Sequence, residues 1–198
     1  LMNLNLAITL GLVSIMIGGW GGIGQTQLRK IMAFSSIAHL GWIIIILKFD
    51  PQLSLLNFVL YIIMTTAMFM TLTTISATKM LEISTSWSKT PALTTTTMLI
   101  LLSLAGLPPL TGFAPKLLIT LELVKQNATL LAVMVMFISL LTLFFYIRLT
   151  YIVTLTLSPN TPNSLLAWRT TSRSYLTTAV MNTMALILLP ITPTLLLL

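Results

Sequence analysis

Long runs of apolar residues, separated by short polar segments, make up most of this chain. The runs occupy about residues 2–20, 29–47, 53–77, 91–125, 129–157 and 175–198. Several of them reach the roughly 20 residues that an α-helix needs to cross the hydrocarbon core of a bilayer. The pattern therefore predicts an all-α membrane protein with about six transmembrane crossings. By these boundaries, 1–157 holds five crossings, 158–174 is a loop, and 175–198 is a C-terminal transmembrane helix.

The fourth run, about 91–125, contains a segment that disfavours a continuous helix. This segment holds two glycines and three prolines: Gly106, Pro108, Pro109, Gly112 and Pro115. Proline removes a backbone N–H and clashes with the preceding turn, and glycine weakens a helix interior. Interrupted helices at membrane depth are tolerated where they line a polar cavity or are buried in protein. The sequence therefore predicts a broken helix in this crossing.

The composition supports a bilayer as the solvent of this chain. Hydrophobic residues make up 57% of it, charged residues make up 7%, and the mean hydropathy is +1.03. A soluble domain carries about 25% charged residues. The net charge of +7 raises the question of nucleic acid, but the basic residues are scattered at helix ends and form no stripe. We therefore expect a lipid environment and no nucleic-acid partner.

The basic residues of the connections are distributed unequally between the two ends of the predicted helices. One side carries only Lys48 and Lys125. The other side carries six basic residues: Arg29, Lys30, Lys79, Lys89, Arg169 and Arg173. By the positive-inside rule, the second side faces the cytoplasm, or the matrix if the membrane is mitochondrial.

The chain has no cysteine and one histidine, His39. An iron–sulfur cluster or a multi-histidine metal site cannot be built from these residues alone. We therefore expect any redox chemistry to reside on partner subunits. Because the chain opens at Leu1 and not at a methionine, we also expect it to be part of a longer protein.

Lys116 is the residue that points most directly to a function. It precedes Lys125 by about nine residues, which places it roughly 14 Å from the far membrane surface, near the bilayer midplane. A lysine at that depth costs at least ~2.5–3.5 kcal/mol unless it faces protein, water or a partner. Its position beside the predicted helix break indicates an ion or proton path. The alternative is a snorkelling or paired structural lysine.

His39 lies midway along the second predicted crossing, with Ser35 and Ser36 one turn away. The imidazole changes charge near neutral pH, which suits a proton relay. A neutral structural histidine, hydrogen-bonded to a neighbouring helix, explains the position equally well. Both interpretations stay open at this stage.

Three further charged residues are secondary candidates. Lys30 stands at the start of the second crossing. Glu122 precedes Lys125 by three residues, a spacing that predicts a local ion pair. Arg148 lies about nine residues inside the end of its run, from where its long side chain can snorkel toward the surface.

Three segments carry a resemblance to a known family. They are 25–42 (QTQLRKIMAFSSIAHLGW), 103–116 (SLAGLPPLTGFAPK) and 145–149 (FYIRL). They closely resemble blocks of the subunit-2 family of mitochondrial NADH:ubiquinone oxidoreductase, known as complex I. The blocks occur in order across almost the whole chain.

The resemblance implies the C-terminal part of an antiporter-like subunit in a proton-pumping membrane arm. Residues 1–157 would then be the second of two inverted repeats, with Lys116 as its broken-helix lysine. NADH, FMN, iron–sulfur clusters and ubiquinone would bind on or near partner subunits, with no cofactor on this chain. The implied partners are other membrane-arm subunits in a hetero-oligomer, and the implied location is the mitochondrial inner membrane.

Two other functions remain open from the sequence. One is a cation/proton antiporter subunit or a sister antiporter-like subunit of complex I. The other is a membrane scaffold that is needed only for assembly.

Overall fold

The computed structural model describes residues 4–87, 90–155 and 176–192 of the 198-residue chain. Within these ranges the chain forms eight α-helices and one short 3-10 helix. The α-helices are α1 (Leu4–Ile23), α2 (Leu28–Leu47), α3 (Pro51–Ile75), α4 (Met80–Ser86), α5 (Pro91–Ala105), α6 (Phe113–Lys125), α7 (Thr129–Leu155) and α8 (Leu176–Ile187). The 3-10 helix spans Leu189–Ile191.

The described residues bear out the prediction of an all-α membrane protein. By length and composition, four of the helices are apolar and long enough to cross a bilayer, namely α1, α2, α3 and α7. Helices α5 and α8 are apolar but shorter. In the part of the chain that the structure describes, β-structure is limited to one isolated antiparallel bridge between Gln27 and Lys79.

Helix α1 continues through Gly21 and Gly22 to Ile23, beyond its predicted end at Trp20. These glycines serve helix packing. A Cβ atom on Gly21 would strike the ring of Phe34 in α2, and one on Gly22 would lie 3.1 Å from the ring of Phe145 in α7. The aromatic rings therefore occupy the space that side chains would fill, and the helix remains intact.

Close backbone contact joins α1 to α2. A Cβ on Gly18 would lie 2.7 Å from both the Ala38 amide nitrogen and the Phe34 carbonyl oxygen. A Cβ on Gly41 would lie 2.8 Å from the Gly11 carbonyl oxygen. Lipid tails are as apolar as leucine, so helices in a bilayer associate through packing of this kind at small residues.

The ends of the helices group the basic residues as predicted, as far as the described residues extend. The Gln27–Lys79 bridge joins the start of α2, with Arg29 and Lys30, to the end of the α3–α4 connection. At the opposite end, the Gln126 side-chain amide donates to the Phe49 carbonyl at 3.4 Å, which brings the Lys48 and Lys125 turns together. Three other basic residues of the prediction lie outside the described residues: Lys89, Arg169 and Arg173.

Glu82 fastens the connection between α3 and α4. Its carboxylate accepts hydrogen bonds from the backbone N–H groups of Thr78 and Lys79. Because these donors stabilise the charged form, they hold the pKa of this exposed carboxyl below its usual range. The connection between α3 and α4 is thus held by hydrogen bonds between its own backbone and the Glu82 side chain.

The final predicted crossing is described only in its first part. Helix α8 ends at Ile187 and is followed by the 3-10 helix, which contains Pro190. Proline has no N–H to donate to a preceding turn, which accounts for the change of geometry at this point. Helix α8 packs on α3 and α5, next to the interrupted crossing.

We predict that Gly18→Ala will destabilise the protein by about 1–3 kcal/mol, the usual cost of overpacking. The added methyl group meets backbone atoms of α2, which cannot rotate away as a side chain does. Gly24→Ala is the matched control, because nothing lies within 4 Å of its Cβ position. Thermal unfolding of the detergent-extracted protein measures both, and equal melting temperatures would contradict the packing argument.

Candidate functional site

The predicted helix break is confirmed between Ala105, the last residue of α5, and Phe113, the first residue of α6. Gly106 ends α5 in the left-handed region, with φ of 82°. The N–H of Gly106 returns to the Ser103 carbonyl at 2.9 Å, and the N–H of Leu107 returns to the Leu102 carbonyl at 3.3 Å. This is a Schellman-type ending, in which glycine satisfies carbonyls of the last helical turn.

Two buried hydroxyl groups hold the other side of the break. The Ser103 and Thr111 hydroxyl oxygens are 2.9 Å apart, and the Gly112 N–H donates to the Ser103 hydroxyl at 3.3 Å. The Thr111 hydroxyl also donates to the Ala185 carbonyl in α8. A Cβ on Gly112 would overlap the Ser103 carbonyl, so only glycine fits there.

The three prolines occupy positions that need no backbone donor. Pro108 and Pro109 lie in the turn between the two half-helices, and Pro115 lies in the first turn of α6. The first N–H groups of a helix have no partner within the helix, so proline is tolerated there. The prolines thus interrupt the helix between α5 and α6 without leaving unpaired N–H groups at their own positions.

Lys116 reaches back from the first turn of α6 to the end of α5. Its Nζ donates to the Ala105 carbonyl oxygen at 2.7 Å. The last carbonyls of a helix lack partners and carry the negative end of the helix dipole, which attracts a cation. The amine is therefore held by the terminus of the neighbouring half-helix, and its side chain is only partly buried in the chain taken alone.

Lys116 and His39, the two principal sequence candidates, face the same internal cavity. Its volume is about 10 Å³, and its lining residues come from α2, α6 and α7: Ser35, Ala38, His39, Trp42, Lys116, Thr142, Phe145 and Tyr146. His39 is buried, and its ring stacks on that of Tyr61 in α3 with centroids 4.9 Å apart. Ser36, in contrast, does not line the cavity, and its hydroxyl donates to the Ala33 carbonyl.

An apolar groove borders Lys116 on its other side. It has a volume of about 280 Å³ and lies between the helix break and α7, where Phe113, Met136 and Leu140 contribute to its walls. The lysine side chain therefore separates a small polar cavity from a larger apolar surface. An amine in this position has polar partners in the small cavity and in the Ala105 carbonyl.

The three secondary candidates lie away from the cavity. Lys30 is exposed at the start of α2. Glu122 forms the predicted ion pair with Lys125, at 3.2 Å. Arg148 donates to the carbonyl of Ile23 at the C-terminus of α1, where its charge complements the helix dipole.

Sequence reasoning missed three residues of this site: Ser103, Thr111 and Tyr146. Ser and Thr hydroxyls in an apolar helix usually bond the carbonyl of the preceding turn, so Ser103 and Thr111 carry no distinctive signal in the sequence. A tyrosine inside an apolar run was the signal available for Tyr146, since its buried hydroxyl needs a partner. Within the described residues, no group of three or more His, Cys, Asp or Glu side chains is placed to hold a metal ion.

Two known protein families match most of the chain. Residues 3–142 match the family described as NADH:quinone oxidoreductase/Mrp antiporter, transmembrane region. The chain belongs to this antiporter-like family. Residues 143–196 match a second description, the C-terminus of NADH dehydrogenase subunit 2. The resemblance drawn from the three sequence segments is thus confirmed.

Relatives within the antiporter-like family carry one name. The chain is 92% identical over its full length to NADH-ubiquinone oxidoreductase chain 2 of Aquarana catesbeiana and covers 58% of that protein. It is 62% identical over 85% of its length to the chain of the same name from Xenopus laevis and covers 49% of it. The chain therefore spans about half the length of the relatives it matches.

Solved structures share the fold of this family member. One is respiratory complex I from Thermus thermophilus with bound aureothin, with a TM-score of 0.72, 23% identity, and coverage of 94% of this chain and 45% of the other. The other is the Mrp complex from Dietzia sp. DQ12-45-1b, with a TM-score of 0.61, 20% identity, and coverage of 74% of this chain and 29% of the other.

We predict that Gly106→Ala will disturb the site in two ways. An L-residue in the left-handed region costs about 1–2 kcal/mol. The new Cβ would also lie 2.9 Å from Cδ and 3.0 Å from Nζ of Lys116, which displaces the amine from the Ala105 carbonyl. Thermal unfolding reports the first effect, and a structure of the variant reports the second. A variant with the melting temperature of Gly24→Ala and an unmoved Lys116 would disprove this description of the break.

Proposed function

We propose that this chain is a core membrane-arm subunit of NADH:ubiquinone oxidoreductase and takes part in proton translocation coupled to electron transfer from NADH to ubiquinone. The observation that carries the proposal is the position of Lys116. Its amine is held at a helix break and faces a cavity that it shares with His39. The name carried by the relatives, of which the chain covers about half, supports the same function.

In this proposal, α5 and α6 together make one membrane crossing. Their 15 and 13 residues rise about 22 and 20 Å, which together exceed the roughly 30 Å hydrocarbon core. Lys116 at their junction then lies near the middle of the bilayer. Counting this crossing once and α8 as the start of another gives six crossings, with the repeat ending near residue 157.

The proposed proton step uses the two side chains in different roles. Lys116 accepts and releases a proton at Nζ, and its four-carbon stem lets the amine move between the Ala105 carbonyl and the cavity. His39 accepts a proton on one ring nitrogen and releases one from the other, since a neutral imidazole carries both an acceptor and a donor. The apolar residues of the cavity wall, Trp42 and Phe145 among them, keep bulk water from bypassing this pair.

The proposed setting follows from the same assignment. We place the chain in the mitochondrial inner membrane as a multi-pass protein, with the Arg29 and Lys79 side facing the matrix. Its partners are the other membrane-arm subunits, in a hetero-oligomer. NADH, FMN, iron–sulfur clusters and ubiquinone bind on or near those partners, and this chain holds no cofactor of its own.

A second candidate is a subunit of a cation/proton antiporter. The description of the matched family includes the Mrp antiporter, and the fold is shared with an Mrp complex. Ion dependence separates the two functions: an antiporter requires a second cation such as Na⁺ in exchange for protons, whereas the oxidoreductase requires NADH oxidation. The names of the two relatives favour the oxidoreductase.

We predict that Lys116→Met in the assembled complex will slow proton-coupled ubiquinone reduction by at least about tenfold, because a positioned proton-transfer group contributes about 10²–10⁴-fold to such a step. Methionine keeps the length of the side chain and removes the ionisable amine. Lys125→Met is the matched control on the same helix, because Lys125 is exposed and pairs with Glu122 at the surface.

NADH:ubiquinone reductase activity and proton uptake into proteoliposomes measure the effect, and native gel electrophoresis measures the amount of assembled complex. Normal assembly with reduced proton transport supports the proposal. Normal activity and proton yield would exclude a proton-carrying role for Lys116. Loss of the assembled complex in the Lys116 variant alone would favour the scaffold function instead.

A further inference from the structure

The cavity beside Lys116 contains a buried hydroxyl group that the proton-carrying pair does not use. Tyr146, on α7, is 1% exposed, and its hydroxyl, although close to that of Ser35, makes no hydrogen bond of normal geometry to any described residue. A buried polar group without a partner costs free energy, and such groups in native proteins usually bind an ordered water. The ring itself is fixed by its contact with Phe145, with centroids 4.2 Å apart.

The shape and lining of the cavity suit one water molecule. Its volume of about 10 Å³ is close to the ~10–15 Å³ that a single water requires. Five of its lining side chains are polar: Ser35, His39, Lys116, Thr142 and Tyr146. A buried water typically makes about three hydrogen bonds, and this lining offers more partners than that number.

The hydroxyl groups of the lining are not equivalent. Ser35 donates its hydroxyl hydrogen to the Met32 carbonyl at 2.8 Å, and Thr142 donates to the Ser139 carbonyl at 2.7 Å. The hydroxyl oxygens of Ser35 and Thr142 can therefore only accept a hydrogen bond from a molecule in the cavity. Tyr146 is the hydroxyl of the lining whose hydrogen is not committed to a protein atom in the described residues. It is therefore suited to donate to the oxygen of a bound water and fix its orientation.

We infer that this cavity is a binding site for one water and that Tyr146 is its positioning residue. The inference rests on the proposed function and adds a defined connection between its two side chains. Held by the Tyr146 hydroxyl, the water accepts a proton from Lys116 and passes one of its own to the ring nitrogen of His39 that faces the cavity. No bond other than O–H and N–H is formed or broken in this transfer, and the water is regenerated.

The test compares Tyr146→Phe with Tyr151→Phe in the assembled complex. Both variants remove one hydroxyl from α7, but Tyr151 is exposed and lies outside the cavity. Phenylalanine keeps the ring and its packing on Phe145, so a purely structural role of Tyr146 would leave proton transport unchanged. We expect Tyr146→Phe to slow proton uptake into proteoliposomes by about fivefold, the equivalent of one lost hydrogen bond, and Tyr151→Phe to have no effect.

An experimental density map of the wild-type complex tests the site independently of the variants. The inference requires a water peak within hydrogen-bonding distance of the Tyr146 hydroxyl oxygen, and its absence from the Tyr146→Phe map. A dry cavity in the wild type, or proton transport by Tyr146→Phe equal to that of Tyr151→Phe, would overturn it. If Lys116→Met loses transport while Tyr146→Phe retains it, only this inference fails. If Lys116→Met transports protons normally, the proposed function itself fails.

Discussion

The structure depends on one constraint, which is that a backbone interrupted within an apolar helical bundle must still satisfy its polar groups. The junction of α5 and α6 meets this constraint with three separate devices. The Schellman-type ending pairs the Ser103 and Leu102 carbonyls with the N–H groups of Gly106 and Leu107. Ser103 and Thr111 hold the following turn, and the Lys116 amine takes the Ala105 carbonyl. The lysine is therefore part of the break and not merely next to it.

This arrangement explains why a cation is kept in an apolar region. The carbonyl at the end of α5 provides the negative end of a helix dipole, so Lys116 has a favourable partner when it is charged. The shared cavity provides a second polar surface, formed by α2 and α7, toward which the amine can turn. The close glycine-mediated contact of α1 with α2 and α7 supports those two helices from outside. The helices that α1 supports by close packing are thus the same helices that line the Lys116 cavity.

Much of this arrangement was predictable from the sequence, and the reasons differ between its parts. The apolar runs and the Gly/Pro segment indicated the helices and the break, because hydropathy and proline act locally. The place of Lys116 directly after the Gly/Pro segment was likewise readable from the sequence. Whether His39 faces Lys116, Tyr61 or lipid depends on the rotation of α2 about its axis, which no local sequence pattern determines.

Thr111 pairs with Ala185, which lies far along the chain, and the burial of the Tyr146 hydroxyl depends on tertiary packing. The end of α1 was misplaced because Gly21 and Gly22 serve as packing surfaces for Phe34 and Phe145, where sequence reasoning expected a helix end.

The central claim is that Lys116 and His39 act together through one cavity. A double-mutant cycle tests it directly, with Lys116→Met, His39→Gln and the double variant compared for proton transport at equal levels of assembled complex. Residues that act as one unit give strongly non-additive effects, whereas independent residues give additive free-energy changes. The account predicts that the double variant transports protons no more slowly than the slower single variant. A double variant whose loss equals the product of the two single losses would contradict it.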